Sequence, residues 1–472
     1  MVDINRILKS VLRKITPDEF EHAETEQVLE RVKEATRKVL KPHRLTFIIA
    51  GSYVRNTYMR DKKEFDLFVL FPEKYTREKL EKTGLEIGKK ITKLLKGTHQ
   101  IAYAEHPYVR SKVGGYAIDI VPAYKVKSAT KIKSAVDRTP FHNHWLNRNL
   151  PQELTGDVRL LKQFCKGQGV YGSDTKVLGL SGYLCELLTI HYGGFRNLLD
   201  SVKDWKAGEV FIDPEGYHTK PEKIKSRFKN QPLIIIDPVD PNRNVAAALS
   251  AGNFTKLMDS AKRFLKKPSQ GFFFKKPPKI TLGRLEKIMR RRGTKLLAVI
   301  FDQPQIIQDV LWPQLRRSAK RLEDIMEEYE FHVIGWDVWS NEEFTKNGNC
   351  VIILEMEVWE LPDIRKIRGP PVFIQDRSKE FLNKYKERGR MLVEDSYWKA
   401  EITRQWRKAE LKLKDTLSDP ENILRAKGIP SYIAKAVSKK FRIDKQDKIL
   451  KLAKKNPEFG QFLMDYFERE VL

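Results

Sequence analysis

The run Tyr116-Ala117-Ile118-Asp119-Ile120-Val121 sets a carboxylate in the middle of an apolar segment of strand length. An ionised group buried there carries a penalty on the order of several kcal/mol unless a cation or hydrogen bonds compensate it. Any fold of this chain must therefore deliver a partner to Asp119, either a metal ion or a salt bridge from another segment. Two more apolar runs, residues 45–50 and 65–71, have strand length and are rich in β-branched and aromatic residues. The second is entered through Glu64-Phe65-Asp66-Leu67-Phe68, and strand alternation sets Glu64 and Asp66 on one face. If the strand bearing Asp119 lies beside it, three acids converge as in two-metal phosphoryl-transfer sites. Oxygen ligands of this kind suit Mg²⁺ and not zinc.

Gly51-Ser52 follows the first run and precedes Arg55, as a tight turn presenting backbone N–H groups and a hydroxyl to a triphosphate requires. A surface turn leading into an edge strand fits the same residues; the combination of turn, spacing and acids favours catalysis. Cys165, Cys185 and Cys350 lie far apart, with no Cys-x-x-Cys pair and no Cys/His cluster at zinc spacing. A reducing, cytoplasmic setting is expected. No stretch approaches the ~18 apolar residues of a membrane span.

At about 100 to 200 residues per domain, 472 residues suggest an α+β chain of several domains. Residues 1–145 read as a mixed α/β catalytic head, opened by helical spacing of Ile4, Ile7, Leu8, Val11 and Leu12 and by a second helix after Thr16-Pro17-Asp18-Glu19. Residues 146–260 read as helix-rich, with Val158, Leu161, Phe164 and Cys165 on one stripe and residues 180–190 nearly all apolar. Residues 261–295 hold thirteen lysines and arginines against one acid, Glu286, with Phe272, Phe273 and Phe274 among the charges; they read as a basic connector. Residues 296–405 run strand (296–301), helix (312–329), strand (331–339), strand (350–361), helix (379–387), strand (391–402). This βαββαβ order predicts a ferredoxin-like sheet of the kind used by RNA-recognition modules. Trp336, Trp339 and Trp359 on its strands either stack on bases or pack in the core. Residues 406–472 read as a helical basic tail.

Subtracting 62 acidic from 89 basic residues leaves +27, a field beyond what solubility calls for, and a polyanion is the expected partner. The 41% hydrophobic content places that charge on folded domains and disfavours a purely low-complexity binder.

Gly51-Ser52-Tyr53-Val54-Arg55-Asn56-Thr57, the Glu64 to Phe68 and Ala117 to Pro122 segments, Val136-Asp137-Arg138-Thr139-Pro140-Phe141-His142, Ser181-Gly182-Tyr183-Leu184-Cys185-Glu186, Asp237-Pro238-Val239-Asp240 and Arg243-Asn244-Val245-Ala246 follow one another in this order. In them the chain resembles the nucleotidyltransferase superfamily of DNA polymerase β, poly(A) polymerase and CCA-adding enzymes, and within it the archaeal-type (class I) tRNA CCA-adding enzymes. Gly369-Pro370-Pro371 extends the resemblance. Glu64 stands where many relatives carry Asp, a departure shared with the archaeal type. The resemblance implies a polymerase β-like head in which Glu64 and Asp66 bind two Mg²⁺ ions while Asp119 binds one and helps deprotonate the attacking RNA 3′-hydroxyl. It implies that Ser52 and Arg55 hold the triphosphate, that Thr139, His142, Lys162 and Tyr171 surround phosphates and ribose, and that Arg243 shapes the base pocket. From the residues alone, Lys162 reads equally as a solvated lysine, Tyr171 as a core anchor and His142 as an interdomain histidine. Arg243 suits a base edge or an RNA phosphate.

The implied reaction is template-independent addition of C, C and A to the tRNA 3′ end from CTP and ATP, with release of pyrophosphate. The acceptor and TΨC arms would be recognised by shape and backbone. The alternatives are a poly(A) or oligoadenylate polymerase and a non-catalytic RNA-binding protein; the intact three-acid set argues against the latter. The sequence admits a homodimer without specifying one.

Overall fold

The computed structural model describes residues 3–103, 105–274, 282–341 and 348–468. Two compact units meet in sequence at residues 276 and 277. In the first, α1 (Ile4–Ile15) is capped by the Asp3 side chain, and α2 (Glu19–Leu40) opens with a reciprocal capping box between Asp18 and Glu21. There follow β1 (Thr46–Ala50), β2 (Glu64–Phe71), α3 (Arg77–Leu94), β3 (Thr98–Tyr103), β4 (Pro107–Val113) and β5 (Tyr116–Tyr124), which build a five-stranded sheet in the order β1-β2-β5-β4-β3. β2 and β5 run parallel, with Asp66 directly opposite Asp119. One face is covered: Leu29 and Val32 of α2 and Leu80, Ile87 and Ile91 of α3 share a core with Phe65, Leu67, Val109, Ile118 and Ile120. Gly88 permits α3 to settle this closely, since a Cβ there would lie 2.7 Å from Val109. Strand alternation leaves Glu64, Asp66 and Asp119 on the other face.

The same unit continues with α4 (Thr139–Asn149), α5 (Thr155–Gly167), α6 (Gly182–Tyr192), α7 (Phe195–Val202), β6 (Val210–Ile212), α8 (Pro221–Lys225), β7 (Leu233–Asp237), β8 (Asp240–Asn244) and α9 (Ala251–Lys266). Phe164, Leu184, Leu188, Phe195, Phe254 and Phe264 centre its core, and the strands form a small β6-β7-β8 sheet. Two expected boundaries do not hold. Ile7, Val11 and Ile15 of α1 pack into this helical core and not into the head, so the 145/146 division is bridged by the N-terminal helix. The first part of the expected connector 261–295 also belongs here. α9 runs to Lys266, and Phe273 is wholly buried with ring centroids 5.5 to 5.8 Å from Phe164, Phe195 and Phe264. The apolar area of a phenylalanine outweighs the charge density of its neighbours, whose long side chains reach water past it. Lys275, Lys276 and Lys279 lie outside the described residues.

The second unit comprises α10 (Leu282–Arg292), β9 (Lys295–Asp302), α11 (Gln308–Glu328), β10 (Val333–Ser340), β11 (Asn349–Met356), β12 (Ile364–Pro371), α12 (Gln375–Tyr385), β13 (Gly389–Glu394), β14 (Tyr397–Thr403), α13 (Ala409–Leu417), α14 (Glu421–Ala426), α15 (Ser431–Lys439), β15 (Phe441–Lys445), α16 (Gln446–Lys455) and α17 (Pro457–Phe467). Its main sheet, β10-β11-β9-β15, is antiparallel throughout, which is the ferredoxin-like order. The fourth strand, however, is β15 and not the expected 391–402. That segment is cut by Asp395 and Ser396, both at positive φ (51° and 66°), into the hairpin β13–β14. With β12 it forms a separate three-stranded sheet backed by Phe381 of α12.

The expected tail 406–472 is consequently no appendage. Leu413, Leu417, Leu424, Ile433 and Val437 share a core with Val299 and Ile352, while Phe459 and Leu463 cover the other face over Leu296 and Ile353. The boundary at 405/406 thus falls inside one packed unit. The three tryptophans serve packing: Trp339 meets Phe459 edge-on at 5.4 Å, Trp336 Nε1 donates to Glu323 at 2.9 Å, and Trp359 lies against the core. Among the described residues no helix is long and apolar enough to cross a membrane.

Candidate active site

The face of the head sheet opposite α2 and α3 gathers the three acids, beside a small apolar cluster of Ala50, Phe68, Val121 and Ala123. Gly51, at φ +92°, ends β1 beside Asp66, and a side chain there would collide with Asp66 Oδ2. Each outer acid carries a cation: Lys62 Nζ lies 2.6 Å from Glu64, and Arg110 donates Nε and Nη2 to the two oxygens of Asp119 at 2.7 and 2.6 Å. The charge within β5, partly buried with 19% of its side chain exposed, is thus met by a salt bridge from β4. Asp66 makes no hydrogen bond among the described residues. Burial, then Asp119 and Glu64, push its carboxyl up to about 7 against the opposing pull of Arg55 and Lys62.

With Lys62 and Arg110 occupying the outer acids, no three ligating side chains close on one point among the described residues. The donor set nevertheless fits a divalent cation, because it is all oxygen, shares one face and leaves Asp66 without a counter-charge. An acid whose folded value is raised holds its proton more tightly in the native chain, so its contribution to metal-free stability falls as pH rises from the ordinary carboxylate range through about 7. Thermal melts of chelated protein between about pH 5 and 8 should show Asp66→Asn gaining stability over the parent as pH rises. A pH-independent difference would contradict this placement of the carboxylate.

The loop after β1 is closed by Thr57 N donating to Ser52 O at 2.9 Å. α5 supports it with three cations at helical spacing. Arg159 donates to Tyr58 O (2.8 Å) and Asn56 Oδ1 (2.6 Å), Lys162 to Thr57 O (3.2 Å) and Thr57 Oγ1 (3.1 Å), and Lys166 to Asp61 (2.7 Å). Arg55 is turned onto Glu186 (Nε 3.1 Å, Nη2 3.0 Å) and Asn143 (2.8 Å). Glu186 is fully buried and also accepts from the Thr57 hydroxyl at 2.6 Å and Lys162 at 3.3 Å. Burial alone would raise its carboxyl, but Lys162, Arg55 and Thr57 outweigh that and hold it below the ordinary range. Lys162 is 3% exposed with all three N–H donors engaged, so it is neither a solvated lysine nor an open cation. Tyr171 is half-buried against the helical core, and burial raises its hydroxyl pKa.

A third group forms around Asp237, fully buried at the end of β7. It accepts from His142 Nε2 (2.8 Å), Arg243 Nη1 (2.6 Å), Tyr183 OH (3.2 Å) and Val239 N (3.1 Å), and His142 stacks on Tyr183 with centroids 4.2 Å apart. Burial opposes ionisation of Asp237, yet His142 and Arg243 keep its carboxyl below the usual range. Thr139 opens α4, with Pro140 in the first turn, just after buried Asp137 has accepted from the backbone N–H groups of Tyr124, Lys133 and Ser134.

The second and third groups share elements: α4 carries His142 and Asn143, and α6 carries Tyr183 and Glu186. The structure places Ser52 and Arg55 on one loop with Lys162 beneath it, and His142 with Arg243 on one carboxylate. Arg110, Glu186, Asp237 and Tyr183 are additions beyond the residues picked from sequence. Glu186 carries the signal that singles out Asp119, an ionisable group inside an apolar run.

A mixed sheet with a glycine-led loop after its first strand, three acids on the face opposite α2 and α3 and a helical lobe behind the loop defines a nucleotidyltransferase of the polymerase β type. Family models match along the chain: a nucleotidyltransferase domain over residues 27–142, the second domain of tRNA nucleotidyltransferase over 156–274, and the C-terminal domain of CCA-adding enzyme over 292–445. The CCA-adding enzyme of Methanosarcina acetivorans is 36% identical over 467 residues, 96% of each chain. That of Methanocaldococcus jannaschii is 37% identical over 403 residues, covering 84% of this chain and 86% of its own, and that of Halobacterium salinarum is 38% identical over 390 residues, 82% of each. The chain belongs to the CCA-adding enzyme family.

Proposed function

We propose that this chain adds C, C and A to the tRNA 3′ end from CTP and ATP without a nucleic-acid template. The observation that carries the chemistry is the parallel register of Asp66 and Asp119, with Glu64 on the same face and the Gly51–Thr57 loop alongside. Two Mg²⁺ ions, held by Glu64 and Asp66 with Asp119 on one of them, would supply the charge that neutralises the triphosphate and acidifies the RNA hydroxyl. Asp119 would take the hydroxyl proton. Ser52 and Arg55 orient the triphosphate; because Glu186 and Asn143 already fix Arg55, little freedom remains to be lost on binding. Lys162 supports the loop from below, and Tyr171 and Thr139 would join it around the phosphates and ribose. Asp237 holds Arg243 for the base and His142 for ribose or phosphate. The tRNA acceptor and TΨC arms bind through backbone and shape, in keeping with +27 and with the need to serve every tRNA. Buried free thiols at Cys165, Cys185 and Cys350 accord with a cytoplasmic setting.

Chelation should abolish incorporation of CMP from CTP and added Mg²⁺ should restore it; undiminished incorporation in EDTA would contradict the metal reading. Asp237→Asn removes the charge that anchors Arg243 and His142. It should raise KM for CTP and ATP by about tenfold, the scale of a charged hydrogen bond, while KM for tRNA stays put. Parallel rises in both constants would instead mark Asp237 as a general scaffold.

A further inference from the structure

The acids' side of the head sheet extends past Asp119 onto β4 and β3, where alternation places Arg110, Lys112, Gln100 and Thr98. These two strands contain no acidic residue. Lys112, Gln100 and Thr98 are exposed, and Arg110 keeps 41% of its side chain in solvent. Arg110 faces Asp119 in register and spends its fork on both carboxylate oxygens, with Nη2 also 3.2 Å from the Tyr108 hydroxyl. The acid that must serve both a cation and the attacking hydroxyl is therefore already neutralised by its neighbour. Glu64, Asp66 and the Gly51 loop lie to one side of Asp119 and take the triphosphate. The attacking strand must then approach from the other side, across the strip that Arg110 leads.

We propose that Arg110 is a positioning residue with two successive partners. It neutralises Asp119 until a divalent cation claims that carboxylate, and the released guanidinium then takes the phosphodiester next to the RNA 3′ end. The guanidinium fork matches a phosphate as it does a carboxylate, so the exchange leaves no cation unpaired. This inference rests on the nucleotidyl-transfer reading of the three acids.

The test compares the parent chain with Arg110→Ala and Arg110→Lys, after circular dichroism and melting have shown all three folded. Mn²⁺ binding is followed by electron paramagnetic resonance without RNA or nucleotide. Arg110→Ala should bind Mn²⁺ several-fold more tightly, because the cation no longer displaces an ion pair, and Arg110→Lys should fall between. In steady state, KM for tRNA lacking its CCA end should rise about tenfold in Arg110→Ala, with KM for CTP within about twofold. A merely structural arginine would weaken Mn²⁺ binding or move both KM values together, and either result overturns the proposal. Parent protein that binds Mn²⁺ and extends RNA while Arg110→Ala behaves identically also overturns it and leaves the site reading intact. Parent protein that does neither overturns both.

Discussion

Asp66→Asn should lower nucleotide addition by about 10³-fold or more, some 4 kcal/mol of transition-state stabilisation, while tRNA affinity stays within about twofold. The substitution keeps the shape of the side chain and removes the carboxylate that, among the described residues, is not paired with a cation as Glu64 and Asp119 are. It lies on the opposite face of the sheet from Phe65 and Leu67, so packing against α2 and α3 is untouched. On the proposed reading RNA affinity would rest on the lysines and arginines behind the +27 charge and not on this acid. Single-turnover extension and filter binding on the same preparation separate the two effects. Loss of tRNA binding in parallel with activity would make Asp66 a structural residue.

Glu186→Ala should be the most destabilising single change in the first unit. It leaves Arg55 and Lys162 buried without their shared counter-charge, and breaking a buried ion pair from one side costs about 3–5 kcal/mol. For a unit of this size that corresponds to a fall in Tm of roughly 10 °C. Because α6 meets the Gly51–Thr57 loop through this carboxylate, KM for CTP should rise as well. Adding Lys162→Met to Glu186→Leu should recover much of the stability, since apolar replacement of a buried pair is often neutral, but not the nucleotide affinity. A Glu186→Ala protein that melts with the parent would show that water compensates both cations and would remove the carboxylate from this account.

Where a charge interrupts an apolar run, the site is legible from sequence: Asp119 demands a partner whatever the fold. Glu186 sends the same message within residues 180–190, and the structure answers it with Arg55, Lys162 and Thr57. Arg110 sends none, because an arginine in the alternating strand Pro107–Val113 is ordinary and only the β4–β5 register makes it the partner of Asp119. The second unit hid its ends for similar reasons. β15 reads Phe-Arg-Ile-Asp-Lys between basic helices, too short and charged to announce a sheet strand, and only pairing with β9 completes the ferredoxin-like order. Asp395-Ser396 turns the chain without a glycine, so 391–402 resembles one strand where there are two. Phe273 sits among lysines that suggest solvent, yet its ring closes the helical core.

The central claim is tested most directly by supplying the purified chain and Mg²⁺ with a tRNA transcript lacking its 3′ CCA, together with CTP alone, ATP alone, or both, and resolving product length at single-nucleotide resolution. Two additions with CTP alone and three with both nucleotides, followed by a stop, are expected. A long adenosine ladder, or no extension under any of the three conditions, would contradict the claim.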